Sequence, residues 1–405
     1  MQYDVVAKQT APRNKPHMQL TPRQILLQCA HVFQQHLFPQ LEAEVGPLST
    51  HLQLLGAVMN LVPLGPALST RLARTGRPPR DRAALATAFF AKSILNLSTT
   101  RQLMDRLKCD TALRRLCGWD HIKSLPHESK FSRAFALFAQ SELPQQLHAA
   151  VIASTQANRL VGHIARDSTA IEARERVPES VIEQKRQAKA QKPKRKKGAH
   201  AKAKASERGT RIQRQRHQKL NAMLADLPRQ CDIGAKVNSR GHENYWRGYK
   251  LHLDVADGQI PISALLSSAS MHDSQAAIPL MTMTSQRVRY LYELMDSAYD
   301  ANPIHEHSRQ LDHQPIIAVH GRRGTKKPSR MPKVFPPKLA PELTWAQQER
   351  YKERSMSERV NARLKDEFGA SHIRVRGPVK VMAHLMFGVL VLAVDQWLRL
   401  AANQT

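Results

Sequence analysis

The first part of the chain has a hydrophobic pattern of helical period. After Thr21-Pro22, apolar residues recur every three or four positions, and proline is favoured at the first position of a helix. The pattern continues through short segments divided by good helix-capping residues. The predicted helices begin at Thr21 and continue over Ser49–Val62, Asp81–Leu97, Ser98–Lys108, Asp110–Cys117, Ser129–Gln140 and Leu143–Ala157. The sequence therefore predicts an all-α region over 21–158, preceded by a flexible polar tail at 1–20.

This helical region has two interpretations. Short helices with tight connections suit a helix-turn-helix-like module that places one helix in a DNA major groove. They equally suit an all-α scaffold that contacts no bases. The segment Gly76-Arg77-Pro78-Pro79-Arg80 resembles a minor-groove hook, but a proline-terminated loop before the next helix accounts for it as well. The pattern does not identify a recognition helix, and both interpretations stay open.

The pattern changes to that of strands at Leu160. Leu160–Thr169 is a short, mainly apolar stretch, and Tyr245–Val255 alternates between apolar and polar residues. Asp257-Gly258 is a strong hairpin signal between that strand and the next. Further strands are predicted at 259–267, 289–295 and 313–319, with helices at 302–311 and 378–401. The region 159–401 is therefore predicted to be an α/β domain with a mixed sheet.

Two acidic residues follow predicted strands of this domain. Asp167 and Asp296 each come after a run of apolar residues, where a carboxylate is costly unless it is paired or bound to a metal. Helix capping is a competing role for such acids. Asp167 could cap a helix near Ile171, and Asp300 is a rival to Asp296 that we expect to cap the following helix. Asp273 is also predicted to cap a helix rather than to act in a site.

A charged helix is predicted near the C-terminal end. Thr344 and Gln347 have the spacing of a capping box, and Gly369 stands where a helix would stop. On one continuous helix, four side chains would lie within a sector of roughly 60°. They are Tyr351, Arg354, Glu358 and Lys365. The alternative is a solvated helix surface with ordinary charge pairs between neighbouring turns.

The charge of the chain points to a polyanionic partner. The 405 residues include 62 Lys and Arg against 33 Asp and Glu, giving a net charge of +29. Nucleic acid is the simplest partner for such a surface. A membrane surface is the competitor, but the sequence has no basic amphipathic anchor, and the apolar run Leu385–Val394 is too short to span a bilayer. The four cysteines are scattered without the spacing of a zinc site, as expected for a reduced cytosolic protein.

The most basic part of the chain interrupts the α/β domain. Between Lys185 and Lys219 there are fifteen Lys or Arg residues against one acid, Glu207. This composition cannot bury a core of its own. We expect 176–230 to be a disordered insertion, or a helical arm ordered by DNA, that binds phosphates without reading sequence.

The spacing Tyr-(2)-Arg-(3)-Glu-(6)-Lys on the charged helix matches the signature of DDE-type insertion-sequence transposases at all four positions. The chain resembles this family elsewhere too, over roughly residues 76–400. The matching segments include Ala165–Thr169, Gly248–His252 and Ser270–Ser274. The resemblance implies an RNase H-like catalytic domain with Asp167, Asp296 and Glu358 as its three catalytic acids. It also implies that Tyr351, Arg354 and Lys365 contact DNA near the cleavage point.

The predicted function follows from these residues and this resemblance together. Three carboxylates suit Mg²⁺ or Mn²⁺, and two such ions could activate a hydroxyl and stabilise the leaving oxygen at phosphorus. The resemblance implies cut-and-paste transposition, terminal inverted repeats and target DNA as substrates, a homodimer or larger synaptic complex, and a location at the bacterial nucleoid in the cytoplasm. The alternatives are an inactive or domesticated DNA-binding copy and an RNase H-like nuclease.

Overall fold

A computed structural model describes residues 43, 46–69, 82–156, 158–190, 209–237, 242–319 and 343–402 of the chain. Several sequence predictions lie outside these residues. They are the tail at 1–20, the helix that begins at Thr21, the segment 76–80, the most basic part of the insertion and the segment 321–338, which is basic and proline-rich and is expected to be a loop.

The N-terminal region is helical where it is described. The bounds of the first seven helices are α1 (Thr50–Leu61), α2 (Leu64–Ser69), α3 (Arg82–Ile94), α4 (Thr100–Cys109), α5 (Thr111–Leu116), α6 (Glu128–Gln140) and α7 (Leu143–Gln156). The predicted capping residues set two of the starts. The Thr99 side chain accepts a hydrogen bond from Gln102 N–H in a capping box, and the Asp110 carboxylate accepts one from Leu113 N–H. These helices therefore begin within two residues of their predicted positions.

One mixed sheet forms the centre of the α/β region. Its strands are β1 (Leu160–Glu172), β2 (Asp232–Val237), β3 (Glu243–Ala256), β4 (Ile260–Ser268), β5 (Arg289–Met295) and β6 (Gln314–Ile317). The order is β2-β3-β1-β5-β6, and β4 pairs with β3. The pairs that involve β3 are antiparallel, whereas β1–β5 and β5–β6 are parallel. The turn between β3 and β4 contains Asp257 and Gly258, with Gly258 at a φ of +83°, which confirms the predicted hairpin.

Helices cover both faces of the sheet. They are α8 (Glu179–Ala190), α9 (Arg211–Gln215), α10 (Leu220–Asp226), α11 (Ser274–Ser285), α12 (Asn302–Gln310), α13 (Trp345–Tyr351), α14 (Ser355–Asp366) and α15 (Pro378–Ala402). The first three lie within 176–230, so the described ends of this interval differ from the predicted disorder. Met223 of α10 is buried in a cluster with Ile278 and Met281 of α11. The interval thus contributes apolar residues to a core that neighbouring elements complete.

Helix α15 joins the two regions of the chain into one structure. It contacts α3, α6 and α7 of the N-terminal region and β4 of the sheet. Phe387 of α15 lies 5.8 Å from Phe89 and 5.2 Å from Phe90 between ring centroids. By length and composition α15 could cross a membrane, but 83% of its most apolar window is buried inside the protein. Its apolar length is therefore explained by packing in the shared core.

Candidate active site

The register of two parallel strands brings Asp167 and Asp296 together. On β1 and β5, Ile164 pairs with Glu293 and Ala165 pairs with Leu294. Continuing this register by two residues places Asp167 opposite Asp296. Strand β5 ends at Met295, and Asp296 accepts a hydrogen bond from Ala298 N–H at 2.9 Å to begin a 3₁₀ turn. Both carboxylates therefore lie at the same edge of the parallel part of the sheet.

Strand β1 is longer than its sequence pattern predicts. It continues past Asp167 to Glu172, because β3 pairs with it as far as Gly248. No helix begins near Ile171, so the capping role considered for Asp167 is wrong. Asp167 lies in mid-strand, at the point where only one neighbouring strand remains.

The two carboxylates share a site that disfavours negative charge. Burial raises the pKa of Asp167 to about 6, and the negative charge of Asp296 adds to this effect. Burial also raises the pKa of Asp296, and Asp273 acts in the same direction. The cations Lys236 and Arg354 partly oppose these shifts. A pair of buried acids in this state is well placed to receive further positive charge.

The charged helix is divided into two parts. The predicted capping box at Thr344 is present and starts α13, but a 3₁₀ turn at Lys352–Arg354 separates α13 from α14. Tyr351 is only 7% exposed, and its hydroxyl donates a hydrogen bond to the Met295 carbonyl at 3.2 Å. Tyr351 thus attaches the helix to the end of β5, and its buried phenol also interacts with Arg354 and Glu358.

Glu358 lies on α14 but does not bond to the other two acids. Its side chain is 55% exposed and accepts a hydrogen bond from Arg354 one turn earlier. This is the ordinary charge pair that the alternative interpretation of the helix expected. Arg354 also interacts electrostatically with Asp167 and Asp296. In the part of the chain that the structure describes, no three His, Cys, Asp or Glu side chains are grouped closely enough to hold one ion.

A residue that the sequence did not reveal connects α14 to Asp167. Asn361 Nδ2 donates a hydrogen bond to Asp167 Oδ2 at 3.2 Å. The other amide atom, Asn361 Oδ1, is buried and has no hydrogen-bond partner among the described residues. Asn361 lies three positions after Glu358 and so on the same side of the helix. That spacing was the only signal for it in the sequence.

Two lysines complete the cationic side of the site. Burial lowers the pKa of Lys365, and the nearby ammonium of Lys236 lowers it further, while Asp167 acts in the opposite direction. Lys236 lies on β2, a strand that the hydrophobic pattern does not predict. The predicted Lys365 is therefore near Asp167, and Lys236 is a cation that the prediction missed.

Asp273 does not have its predicted capping role. It occupies the N-cap position of α11, but its side chain makes no capping hydrogen bond. It pairs with Lys250 at 2.8 Å instead. Asp300 also differs from its prediction, because it bonds His305 at 3.1 Å and the N-cap of α12 is Ala301. Of these two acids, Asp273 is the one that acts electrostatically on Asp296.

A buried ion network supports the site from the opposite face of the sheet. Arg166 donates to both carboxylate oxygens of Asp254, at 2.8 and 2.7 Å, and lies 3.7 Å from Glu293. Thr284 of α11 also donates to Asp254, at 2.6 Å. Because adjacent strand residues face opposite sides, this network fixes β1 at the residue before Asp167.

Comparison with known families identifies the chain. A family model described as "Transposase DDE domain" matches residues 162–394, and one described as "Transposase domain (DUF772)" matches residues 40–137. The chain belongs to the DDE transposases. The first match spans the mixed sheet and its helices, so the RNase H-like fold expected from the sequence is confirmed. A search of the curated proteins finds no match to this transposase.

Proposed function

We propose that this transposase cleaves DNA at the ends of an insertion sequence and joins those ends to target DNA. Asp167, Asp296 and Glu358 are its catalytic acids, and Mg²⁺ or Mn²⁺ is its cofactor. The observation that carries the proposal is the parallel register that sets Asp167 opposite Asp296 at the end of β5.

The oxygen atoms of the site fit such a cation. Asp167 and Asp296 have raised pKa values, and Asn361, which bonds Asp167, has an Oδ1 atom without a hydrogen-bond partner among the described residues. Together these are hard oxygen donors without thiolates. Asp167 and Asp296 would hold the ions, and Glu358 would supply the third carboxylate. Two bound ions would supply activation of the attacking hydroxyl and stabilisation of the leaving oxygen.

In this function, Arg354 releases Glu358 and binds a DNA phosphate instead. Its guanidinium now bonds Glu358 and also lies within the electrostatic range of Asp167. A DNA phosphate can take the place of the carboxylate as the partner of this guanidinium. Glu358, on an exposed side chain, is then free to turn towards the other two acids.

Lys365 and Lys236 add two cations beside Asp167, where they can bind the phosphates that flank the cleaved bond. Tyr351 keeps α13 and α14 in position through its bond to Met295. The substrate in this proposal is double-stranded DNA with terminal inverted repeats, recognised by the helical region. The active form is a homodimer or larger complex, because two ends have to be held together.

The test uses three conservative variants of the full chain: Asp167→Asn, Asp296→Asn and Glu358→Gln. Each should bind a duplex carrying the element's ends at least as tightly as the unchanged protein, because each removes one negative charge. Each should lose Mg²⁺-dependent cleavage and strand transfer of that duplex by about 10³-fold or more. Asp105→Asn, on the exposed side of α4, serves as the matched control and should retain full activity. Full cleavage by any one of the three variants would remove that acid from the proposed site.

The bond between Glu358 and Arg354 favours a second candidate, an inactive copy that only binds DNA. Such a protein would cleave nothing across several divalent metals while still binding the ends. A nuclease with the same fold differs again, because it would cut without regard to end sequence and would join no strands.

A further inference from the structure

Two adjoining cavities lie between the helical region and the segment that follows α14. Their volumes are about 320 and 330 Å³, and both are lined by Lys92, Thr100, Val375 and His384. The walls come from the end of α3, the start of α4, the start of α15 and the segment that joins α14 to α15. The two cavities therefore make one recess at the junction of the two family domains.

A buried lysine without a partner lines this recess. Lys92 is 8% exposed, and its ammonium makes no hydrogen bond or ion pair with any residue that the structure describes. A buried ammonium without a counter-charge is costly. Burial lowers the pKa of Lys92 to about 8. Among the described residues, no carboxylate pairs with this cation.

The start of α4 faces the same recess. This helix has ten residues, and its cap uses the N–H groups of Thr99 and Gln102. The two backbone N–H groups between them, of Thr100 and Arg101, make no hydrogen bond to a described residue. Free N–H groups and the positive end of the helix dipole favour an anion at this position.

The other charged groups around the recess are mostly basic. Arg101, Arg374, Arg376 and Lys380 line it, and Glu128 is the one acid among its lining residues, 3.9 Å from Arg101. His384 is neutral, because burial and then the charge of Lys92 lower its pKa to about 3. Its Nε2 donates to the Gly369 carbonyl at 3.0 Å.

We propose that this recess binds a phosphate group, with the Lys92 ammonium and the first N–H groups of α4 as its ligands. The phosphate comes from a DNA backbone that runs along α14, or from inorganic phosphate in solution. Asn96 supports the first source, because its side chain donates to the Asp366 carbonyl at 2.7 Å. This contact holds the end of α14, one residue after Lys365, against the loop between α3 and α4. A strand that follows Glu358 and Lys365 along the helix would reach the recess next.

The test compares Lys92→Met with Lys123→Met, a matched change at an exposed lysine. Equilibrium binding of a random-sequence duplex is measured over a range of salt concentrations. Thermal unfolding is measured in inorganic phosphate and in chloride of equal ionic strength, which separates specific binding from general salt effects. Methionine removes the charge and keeps the length of the side chain, so Lys92→Met should unfold at the same temperature or higher in chloride. Neither readout depends on cleavage, so this proposal and the proposed function can fail separately.

If a backbone phosphate occupies the recess, Lys92→Met should weaken duplex binding about fivefold to tenfold at moderate salt and reduce the salt slope by about one. The extra stabilisation by inorganic phosphate should also be lost. Loss of the phosphate effect alone, with unchanged duplex binding, supports the site with free phosphate as its ligand. If both readouts match those of Lys123→Met, the proposal is overturned. If Lys92→Met does not fold, Arg374→Gln, at an exposed residue on the rim of the recess, is compared with Lys123→Met in the same two measurements.

Discussion

Asp167 and Asp296 face each other across two parallel strands of unequal length. Strand β5 ends at Met295, one residue before Asp296, whereas β1 continues past Asp167 because β3 still pairs with it. One carboxylate is therefore held by a strand and the other by a 3₁₀ turn. The strand register fixes the position of Asp167 relative to Asp296 along the sheet.

The first prediction concerns the charge of Asp167. Its pKa is raised from 3.8 to about 6 in the folded protein. A raised pKa means that folding favours the neutral form of the carboxyl group. The ionised form therefore lowers the free energy of unfolding, and this loss is absent below about pH 4 and complete above about pH 6. Asp167→Asn should therefore be more stable than the unchanged protein at pH 7 to 8, by about 2–3 kcal/mol. Chemical denaturation at a series of pH values measures this difference.

The advantage of Asp167→Asn should shrink to nothing as the pH falls towards 4. At pH 7 to 8, Mg²⁺ should reduce the stability advantage of Asp167→Asn, because a bound cation stabilises the ionised carboxylate of the unchanged protein. A constant advantage at every pH would show that Asp167 is not the group responsible. Asp105→Asn provides the baseline, since its side chain is exposed on α4.

The fold of this transposase was largely predictable because its signals are local. The capping residues Thr99, Asp110 and Thr344 act within a few positions of the helices they start. The length of β1 was not predictable, because it depends on pairing with β3 about eighty residues later. Strand β2 was missed for the same reason, since its six residues pair with one end of β3.

The candidate site was predicted only in part. Spacing on an ideal helix placed Tyr351 and Glu358 on one face, but it did not show that Tyr351 is buried with its hydroxyl on the Met295 carbonyl. No helical period can reveal that burial, because it depends on what the phenol bonds to in the fold. Asn361 was not predicted, because its side-chain amide is uncharged.

The second prediction treats Asn361 as a positioning residue for Asp167. Asn361→Ala removes the amide that donates to the Asp167 carboxylate. Loss of a hydrogen bond to the charged form raises the pKa of the acid further. We expect cleavage to fall about 10- to 100-fold, with the acidic limb of the pH–rate profile moved to higher pH. Single-turnover cleavage at a series of pH values gives both quantities.

The shift in that profile separates positioning from a general loss of structure. Asn221→Ala, at an exposed residue of α10, is the matched control and should leave both the rate and the profile unchanged. A lower rate with an unmoved profile would mean that Asn361 does not act through Asp167.

The third prediction concerns the buried ion network. Arg166→Met leaves the carboxylates of Asp254 and Glu293 buried without their guanidinium partner. Breaking a buried pair on one side costs about 3–5 kcal/mol, because the remaining charge is not compensated. Arg159→Met breaks a more exposed pair with Asp257 and should cost about 1 kcal/mol or less. Urea denaturation measures both, and equal costs for the two variants would contradict the structural role of Arg166.

The fourth prediction concerns the contact that positions helix α14. Gly388 of α15 lies so close to the end of α14 that an added Cβ would be 2.6 Å from the Phe368 carbonyl oxygen and 3.1 Å from Leu364 Cδ1. On helix propensity alone, Gly388→Ala would stabilise the protein by about 1 kcal/mol. We expect a loss of about 1–3 kcal/mol instead, because α14 has to move away from α15. Thermal or urea denaturation shows whether Gly388→Ala raises or lowers the stability of the protein.

That movement would also displace Glu358 and Asn361, which lie on α14. Cleavage by Gly388→Ala should therefore fall under conditions in which the variant is still fully folded, although Gly388 contacts neither acid of the site. Gly65→Ala in α2 is the matched control, because no atom of the described residues lies within 4 Å of its added Cβ. It should keep full activity and be equally or more stable. If Gly388→Ala behaves like Gly65→Ala in both measurements, the close packing of α15 does not determine where α14 lies.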